Sequence, residues 1–423
     1  MIKPKIESLV WSILLVFIFF RPFLSEYAFI TAGFWYVLIL IFCSIFFLVI
    51  IAEKVLFPFR LNFLLALFAI AIIISVIFPG YTDWNLYELF LFIPNIIIFY
   101  IAGKINPRQQ KQLIHIIFLS ACIISLYGIY QYFVGFNHTV EYLKRTGSTD
   151  YLDGLLSRRR IFATVISPNI FASYIVMMLF VGTGLALYNT QDNTQGKNML
   201  YWLGVCVMAI ALLLTKSLGG ILTFIITFLI FLNSLMRYKG FKKITLKRFT
   251  LIMIFLLCVF ILIYGFFARD RIAQFFDLKN PNNSIVQRFY YMKASIGMIK
   301  DFPLTGVGWR NFGLFYEFYK PDSANISHYS HNVFLQITAE MGPLGLVVFL
   351  AIIIKFFQLG LKVIRKKDEE QGLKIGLFFA GVAFLIHNLI ELSFYFSQVA
   401  LFWWIILGLI SNFSSQIGNK NTA

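Results

Sequence analysis

The chain has 423 residues, 60% of them hydrophobic and 13% charged, about half the roughly 25% charged share of an average soluble chain. The apolar residues, 50 Phe among them, fall in long runs, which excludes a water-soluble globule and a disordered chain. Thirty-six basic against 19 acidic residues give +17; no basic segment stands apart as a soluble domain, so nucleic-acid binding is disfavoured, and the excess reports first on membrane topology.

A helix needs about 20 apolar residues to cross the hydrocarbon core. Twelve runs meet that need, at 8–23, 34–52, 61–78, 86–103, 113–134, 168–188, 199–215, 218–235, 249–268, 333–358, 373–391 and 395–411. The first is followed by Arg21-Pro22 without a small-residue cleavage pattern, so it reads as a helix and not as a signal peptide. The expected fold is therefore an all-α polytopic membrane protein, a single membrane domain over 1–423 with about twelve transmembrane helices. Its large extracytoplasmic loop is expected at 269–332, between the ninth and tenth helices.

Placing Met1 in the cytoplasm puts Lys3, Lys5, Lys54, Arg60, Lys104, Arg108, Lys111, Lys197, the run from Arg237 to Arg248, the run from Lys362 to Lys374, and Lys420 on the inside. The short outer loop 79–85 has no Lys or Arg. This is the positive-inside pattern, and both termini are expected in the cytoplasm. Two outer segments run against it: 135–167, with Lys144, Arg145 and Arg158-Arg159-Arg160, and 269–332, with Arg269, Arg271, Lys279, Arg288, Lys293, Lys300, Arg310 and Lys320. Long loops cross regardless of charge. These cations are either solvated on exposed loops or gathered to hold a multiply charged anion, and two basic loops on one face favour the second.

Within the long loop, Phe289, Met292, Ile296 and Ile299 share one side of a helix expected over 285–300, with Arg288 one residue off the stripe. Asp301-Phe302-Pro303 ends it. Gly306 and Gly308 read as a tight turn more readily than as a phosphate loop. No repeat of 20–50 residues is evident.

The four Cys, at 43, 122, 206 and 258, lie inside apolar runs without metal or disulfide spacing. Of the five His, His115 starts a helix on the inner side, His138 lies in the first basic loop, His328 and His331 close the long loop, and His387 sits one turn from Glu391. Ser330 is an expected N-cap, which places His331 and Asn332 at a helix start. The positive end of a helix disfavours imidazolium, and a neutral imidazole can act as general base; the alternative is a loop His bonded to backbone. Glu340, nine residues on, falls about 900° around and about 13 Å along that helix, so it braces the break at Gly342-Pro343 and does not orient His331. The His387–Glu391 pair is either a polar helix contact or part of a site. There is no metal-ligand cluster, Walker loop or dinucleotide fingerprint, so no cofactor is expected. An outer-face enzyme of this kind needs a substrate that is already activated, such as a lipid-linked pyrophosphate sugar.

His331-Asn332-Val333-Phe334-Leu335 with Glu340-Met341-Gly342-Pro343-Leu344-Gly345 resembles the HNxxLxxxxExGxxG signature of the O-antigen ligase and polymerase superfamily. Arg288 to Ala294 and Pro303-Leu304-Thr305-Gly306-Val307-Gly308 are similar to that family's arginine helix and Pro/Gly turn. Arg160 to Thr164 and Ser167 to Ala172 resemble another of its segments. Thr215-Lys216-Ser217-Leu218-Gly219-Gly220 resembles a T-x-S-R-G segment, with Leu218 where arginine is usual and Lys216 as the possible substitute. The resemblance implies a metal-independent, inverting GT-C-type glycosyltransferase of the bacterial inner membrane. Its donor is a glycan on undecaprenyl pyrophosphate, and its acceptor is a hydroxyl of lipid A-core or another molecule on the outer face. It implies that Arg160 and Arg288 grip the donor pyrophosphate and that His331 activates or positions the acceptor hydroxyl; Asn332, His328, Glu391, His387 and Lys216 are further site candidates. A ligase is favoured over a repeat-unit polymerase of the same superfamily. A transporter or flippase of lipid-linked oligosaccharide is the reading from a different class.

Overall fold

The computed structural model describes residues 2–24, 59–77, 85–138, 159–189, 195–236, 269–280 and 283–419, with isolated residues around 141–145 and 251–266. Among these residues every regular element is helical. In chain order they are α1 (Ile2–Phe20), α2 (Phe59–Ile77), α3 (Asn85–Ala102), α4 (Pro107–Tyr130, continued by a π turn to Gly135), α5 (Pro168–Asn189), α6 (Gln195–Leu214), α7 (Leu218–Met236), α8 (Arg269–Phe276), α9 (Ser284–Asp301), α10 (Phe312–Tyr319), α11 (Val333–Arg365), α12 (Gln371–His387) and α13 (Ser397–Asn419). Helices occupy ten of the twelve expected spans. The span at 34–52 lies outside the described residues, and 249–268 is described only at isolated positions. Five helices among the described residues are long and apolar enough to cross a membrane, those at Pro107–His138, Pro168–Tyr188, Leu218–Leu235, Val333–Arg365 and Ser397–Ile417.

α5 is apolar all round, as a helix surrounded by other helices must be. The whole of its apolar window is buried, with α4, α6, α7 and α12 packed about it. Its closest neighbour is α12. A Cβ on Gly184 would stand 2.9 Å from the Gly376 Cα, so the two backbones touch where both residues lack side chains. α13 packs on α3 and α11, and α11 on α2, with Trp403 and Trp404 wholly buried in that layer.

α11 positions the candidate site. Its 33 residues would run about 50 Å at 1.5 Å each, well beyond the roughly 30 Å hydrocarbon core. It is broken at Gly342 (φ 67°, ψ −168°), before Pro343. Pro343 has no N–H to give to the Ala339 carbonyl. The turn after α9 supplies donors instead: Val307 N–H to Ala339 O at 2.8 Å and Gly308 N–H to Glu340 O at 3.0 Å. That contact leaves no room for side chains. A Cβ on Gly306 (φ 68°) would come within 2.6 Å of Ala339 O, and one on Gly342 would land on Leu304 O. The two glycines are thus the seat that joins the turn after α9 to the broken helix. Gly306→Ala and Gly342→Ala should each cost about 2–4 kcal/mol, from left-handed strain plus overpacking. Thermal unfolding in detergent reads this directly, and an unchanged melting temperature in both variants would mean the seat is not formed.

The structure corrects two local expectations. The cap of α11 is Asn332, not Ser330, and the helix begins at Val333. α12 ends at His387, so 388–391 is a turn and not the last turn of a span. Of the expected stripe on α9, Phe289, Met292 and Ile296 face outward and Ile299 packs against the protein, where Tyr291, Ala294, Ser295 and Met298 also face. With Val307, Phe312, Tyr316, Ala324 and Ala339 the inner face of α9 makes a small second core beside the membrane bundle.

Candidate active site

The site forms where the head of α11 meets the turn after α12. The Asn332 side-chain oxygen accepts from Phe334 N–H and Leu335 N–H, both at 3.0 Å, filling two of the orphan donors of the first turn. Its amide donates to Leu389 O at 3.0 Å, and Val333 N–H donates to Asn388 O at 3.0 Å. One residue therefore caps the helix and clamps it to the 388–391 turn. The Ser330 hydroxyl, free of the capping task, donates to Asn332 O at 2.8 Å.

This clamp brings Glu391 to His331. Nδ1 of His331 lies 2.6 Å from the Glu391 carboxylate, across 60 residues of sequence. An ionised carboxylate only accepts, so Nδ1 carries a proton, which in the uncharged form of the ring leaves Nε2 as the acceptor. His331 has a left-handed backbone (φ 56°), its ring is stacked on Tyr291 at 5.1 Å, and its side chain is 26% exposed. Burial pushes the Tyr291 phenol above its ordinary value, with the neighbouring Arg288 pulling it down. The second oxygen of Glu391 meets Arg288 Nη2 at 3.5 Å. Arg288 and Tyr291 are one turn apart on α9, so one helix delivers both the cation and the stacking partner. The Arg288 side chain is 27% exposed, and its Nε makes no hydrogen bond to a described residue. Its donors are thus largely unspent.

Arg160 stands differently. It is buried, with Nε donating to Thr215 O at 2.9 Å and Nη2 to Asn169 Oδ1 at 2.8 Å. Asn169 Oδ1 also accepts from the Ser217 hydroxyl at 2.9 Å. Arg160 therefore holds the turn between α6 and α7 that carries Lys216 in left-handed backbone (φ 48°). That turn abuts the Glu391 segment, since a Cβ on Gly219 would meet Ile390 at 2.8 Å and His387 Nε2 at 4.0 Å. His387 is buried, and neither ring nitrogen has a hydrogen-bond partner among the described residues. Glu391 thus partners His331 and Arg288 by hydrogen bond and ion pair, not the neighbour suggested by helical spacing. His328 is exposed and packs over Gly313 of α10. His138 is exposed at the end of α4, and His115 is hydrogen-bonded to Lys111 O and the Tyr201 hydroxyl.

Glu340 is wholly buried and committed elsewhere. It accepts from Gln336 Nε2 at 2.7 Å, the Tyr395 hydroxyl at 2.8 Å and Phe312 N–H at 3.2 Å, so it braces the broken helix. Arg310, unremarked among the loop cations in the sequence, stacks on Tyr395 at 4.8 Å and donates to the Tyr329 hydroxyl at 3.2 Å. Among the described residues no group of three or more His, Cys, Asp or Glu is arranged to hold a metal ion.

The arrangement pairs an oriented imidazole with an under-used arginine at a partly open surface. Such a pair can take a proton from an attacking hydroxyl while charge on a departing anion is neutralised. Residues 203–350, from α6 through the first half of α11, match the model of the O-antigen ligase family. A "ComP-specific O-oligosaccharyltransferase" of Acinetobacter baylyi is 26% identical over 275 residues, covering 62% of this chain and 45% of that protein. The aligned part of the chain thus spans about half of that relative. The resemblance carried by His331-Asn332 and Glu340-Met341-Gly342 is thereby borne out: these residues lie within the segment 203–350 that matches the O-antigen ligase family, and the oligosaccharyltransferase likeness supports the same superfamily.

Proposed function

We propose that the chain is a glycosyltransferase that moves a glycan from undecaprenyl pyrophosphate to an acceptor hydroxyl on the outer face of the bacterial inner membrane. The observation that carries this reading is the His331–Glu391–Arg288 cluster at the head of α11. In the proposed step His331 Nε2 removes the acceptor proton as the hydroxyl oxygen bonds to the anomeric carbon. The bond from that carbon to the pyrophosphate oxygen breaks, with inversion. Arg288 meets the charge that grows on the leaving pyrophosphate, where a planar fork suits a phosphate better than a point charge does. Arg160 adds positive charge while holding the Lys216 turn in place. No nucleotide or metal is called on, because the donor bond is already activated.

For the acceptor, the ligase reading names lipid A-core. The Acinetobacter relative, named as ComP-specific, supports a second option, a hydroxyl of a specific acceptor other than lipid A-core. Purified protein given undecaprenyl-pyrophosphate-linked glycan, with and without each acceptor, tests both. Transfer only to an added acceptor supports a ligase and names the acceptor. A ladder of repeat lengths without acceptor replaces the ligase by a repeat-unit polymerase, and silence throughout favours a transporter. Activity is expected to survive EDTA; strict loss restored by Mg²⁺ would overturn the metal-independent scheme.

A further inference from the structure

We propose that the outward face of α9 and the turn after it form a foot embedded in the membrane surface, occupied by the acyl region and anionic headgroups of the adjoining leaflet. The inference uses the proposed function only to name that leaflet as the outer one.

At 100° per residue, Phe289, Met292, Ile296, Lys293 and Lys300 fall within an arc of about 100°, opposite the buried face of Tyr291, Ala294 and Met298. All five are exposed, Phe289 by 64%. Phe302 and Leu304 continue the apolar surface beyond the helix, Leu304 being 80% exposed. A contiguous apolar strip on an extramembrane segment marks a contact surface, and three features place lipid on it.

The first is height. α11 is too long for the hydrocarbon core alone. The part between the break and the basic run that starts at Lys362, 343–361, already spans about 28 Å, close to the whole core, so Val333 to Met341 stands in the headgroup region, and α9 packs against that part through Ala339. The second is continuity. Leu304 touches the break, since its carbonyl occupies the place of a Gly342 Cβ. Immediately beyond the break Leu344 and Val347 are exposed, Val347 by 62%, on a helix apolar enough to span. The loop's apolar strip and the lipid-facing strip of α11 therefore join. The third is charge. Lys293 and Lys300 share the arc with apolar side chains, as in interfacial helices whose lysines reach headgroup phosphates. Arg288 and Tyr291 ride on the same helix, so the foot would fix the height of the cation and of the ring stacked on His331.

The test uses the full chain with Cys43, Cys122, Cys206 and Cys258 replaced by Ser, in bilayers containing phosphatidylglycerol. Single nitroxides are placed through Phe289→Cys, Met292→Cys, Ile296→Cys and Leu304→Cys, with Asp322→Cys as an exposed reference. The ratio of collisions with oxygen, which enters lipid, to those with a nickel chelate, which does not, should be several-fold higher at the four positions than at 322. Nickel collisions equal to those at 322 would mean an open surface in water. Low collisions with both reagents would mean that protein, such as a second copy, covers the strip. Either result overturns the foot. The measurement is made without substrate, so its failure is separate from failure of the transfer assay.

Discussion

His331→Asn should lower glycan transfer by about 10²–10⁴-fold, the span supplied by a general base. Asparagine is the sharper replacement because it tolerates the left-handed backbone that His331 adopts, whereas alanine adds strain to the loss of the base. Both variants should still insert and purify as the native protein does. The drop belongs in the turnover number, since the proton moves only as the new bond forms. Glu391→Gln should move activity the same way with His331 intact, because an amide neither fixes the Nδ1 proton as firmly nor balances the charge that appears on the ring. Full transfer by His331→Asn or His331→Ala would remove the proposed base.

Arg288→Ala should cost about 10²–10³-fold, the usual loss on removing one preorganised group that stabilises developing charge. Arg288→Lys should recover little. A lysine ammonium reaches one oxygen at a time, and the guanidinium fork is what a phosphate accepts at two. The present ion pair with Glu391 does not weaken this expectation: at 3.5 Å, and with a buried Nε that has no hydrogen-bond partner among the described residues, Arg288 has more to gain from an anion than from its carboxylate. A donor titration separates the roles. Loss of turnover at saturating donor marks stabilisation of the leaving group, and a change in half-saturation alone would reduce Arg288 to a docking residue.

The helices were legible because lipid demands long apolar runs and the runs are visible without tertiary knowledge. α9 and its end at Asp301 were legible from apolar spacing. The cap of α11 was displaced by two residues because Ser330 and Asn332 are both good caps, and the choice between them depends on the 388–391 turn, which only the fold supplies. Glu391 was misplaced for a related reason. Spacing of four pairs it with His387 only if the helix continues; α12 stops at His387, and the carboxylate turns instead toward a histidine 60 residues away. No local pattern encodes that contact. The donor-gripping role read for Arg160 came from resemblance, and its bonds to Thr215 and Asn169 give it a structural task beside that role. The left-handed backbone at Lys216 had no sequence signal, and the enrichment of histidine in that region is too weak on its own to single out His331.

Among the described residues, five non-glycine positions have left-handed backbone, and four of them are Arg159, Lys216, Arg310 and His331. Each conformation costs about 1–2 kcal/mol relative to the right-handed one. A sequence selected for heat tolerance alone would place glycine or asparagine at these turns. Basic side chains occupy four of them instead, His331 of the proposed site among them. A stabilising glycine at His331 would therefore be a gain in backbone stability at the expense of the base proposed for it.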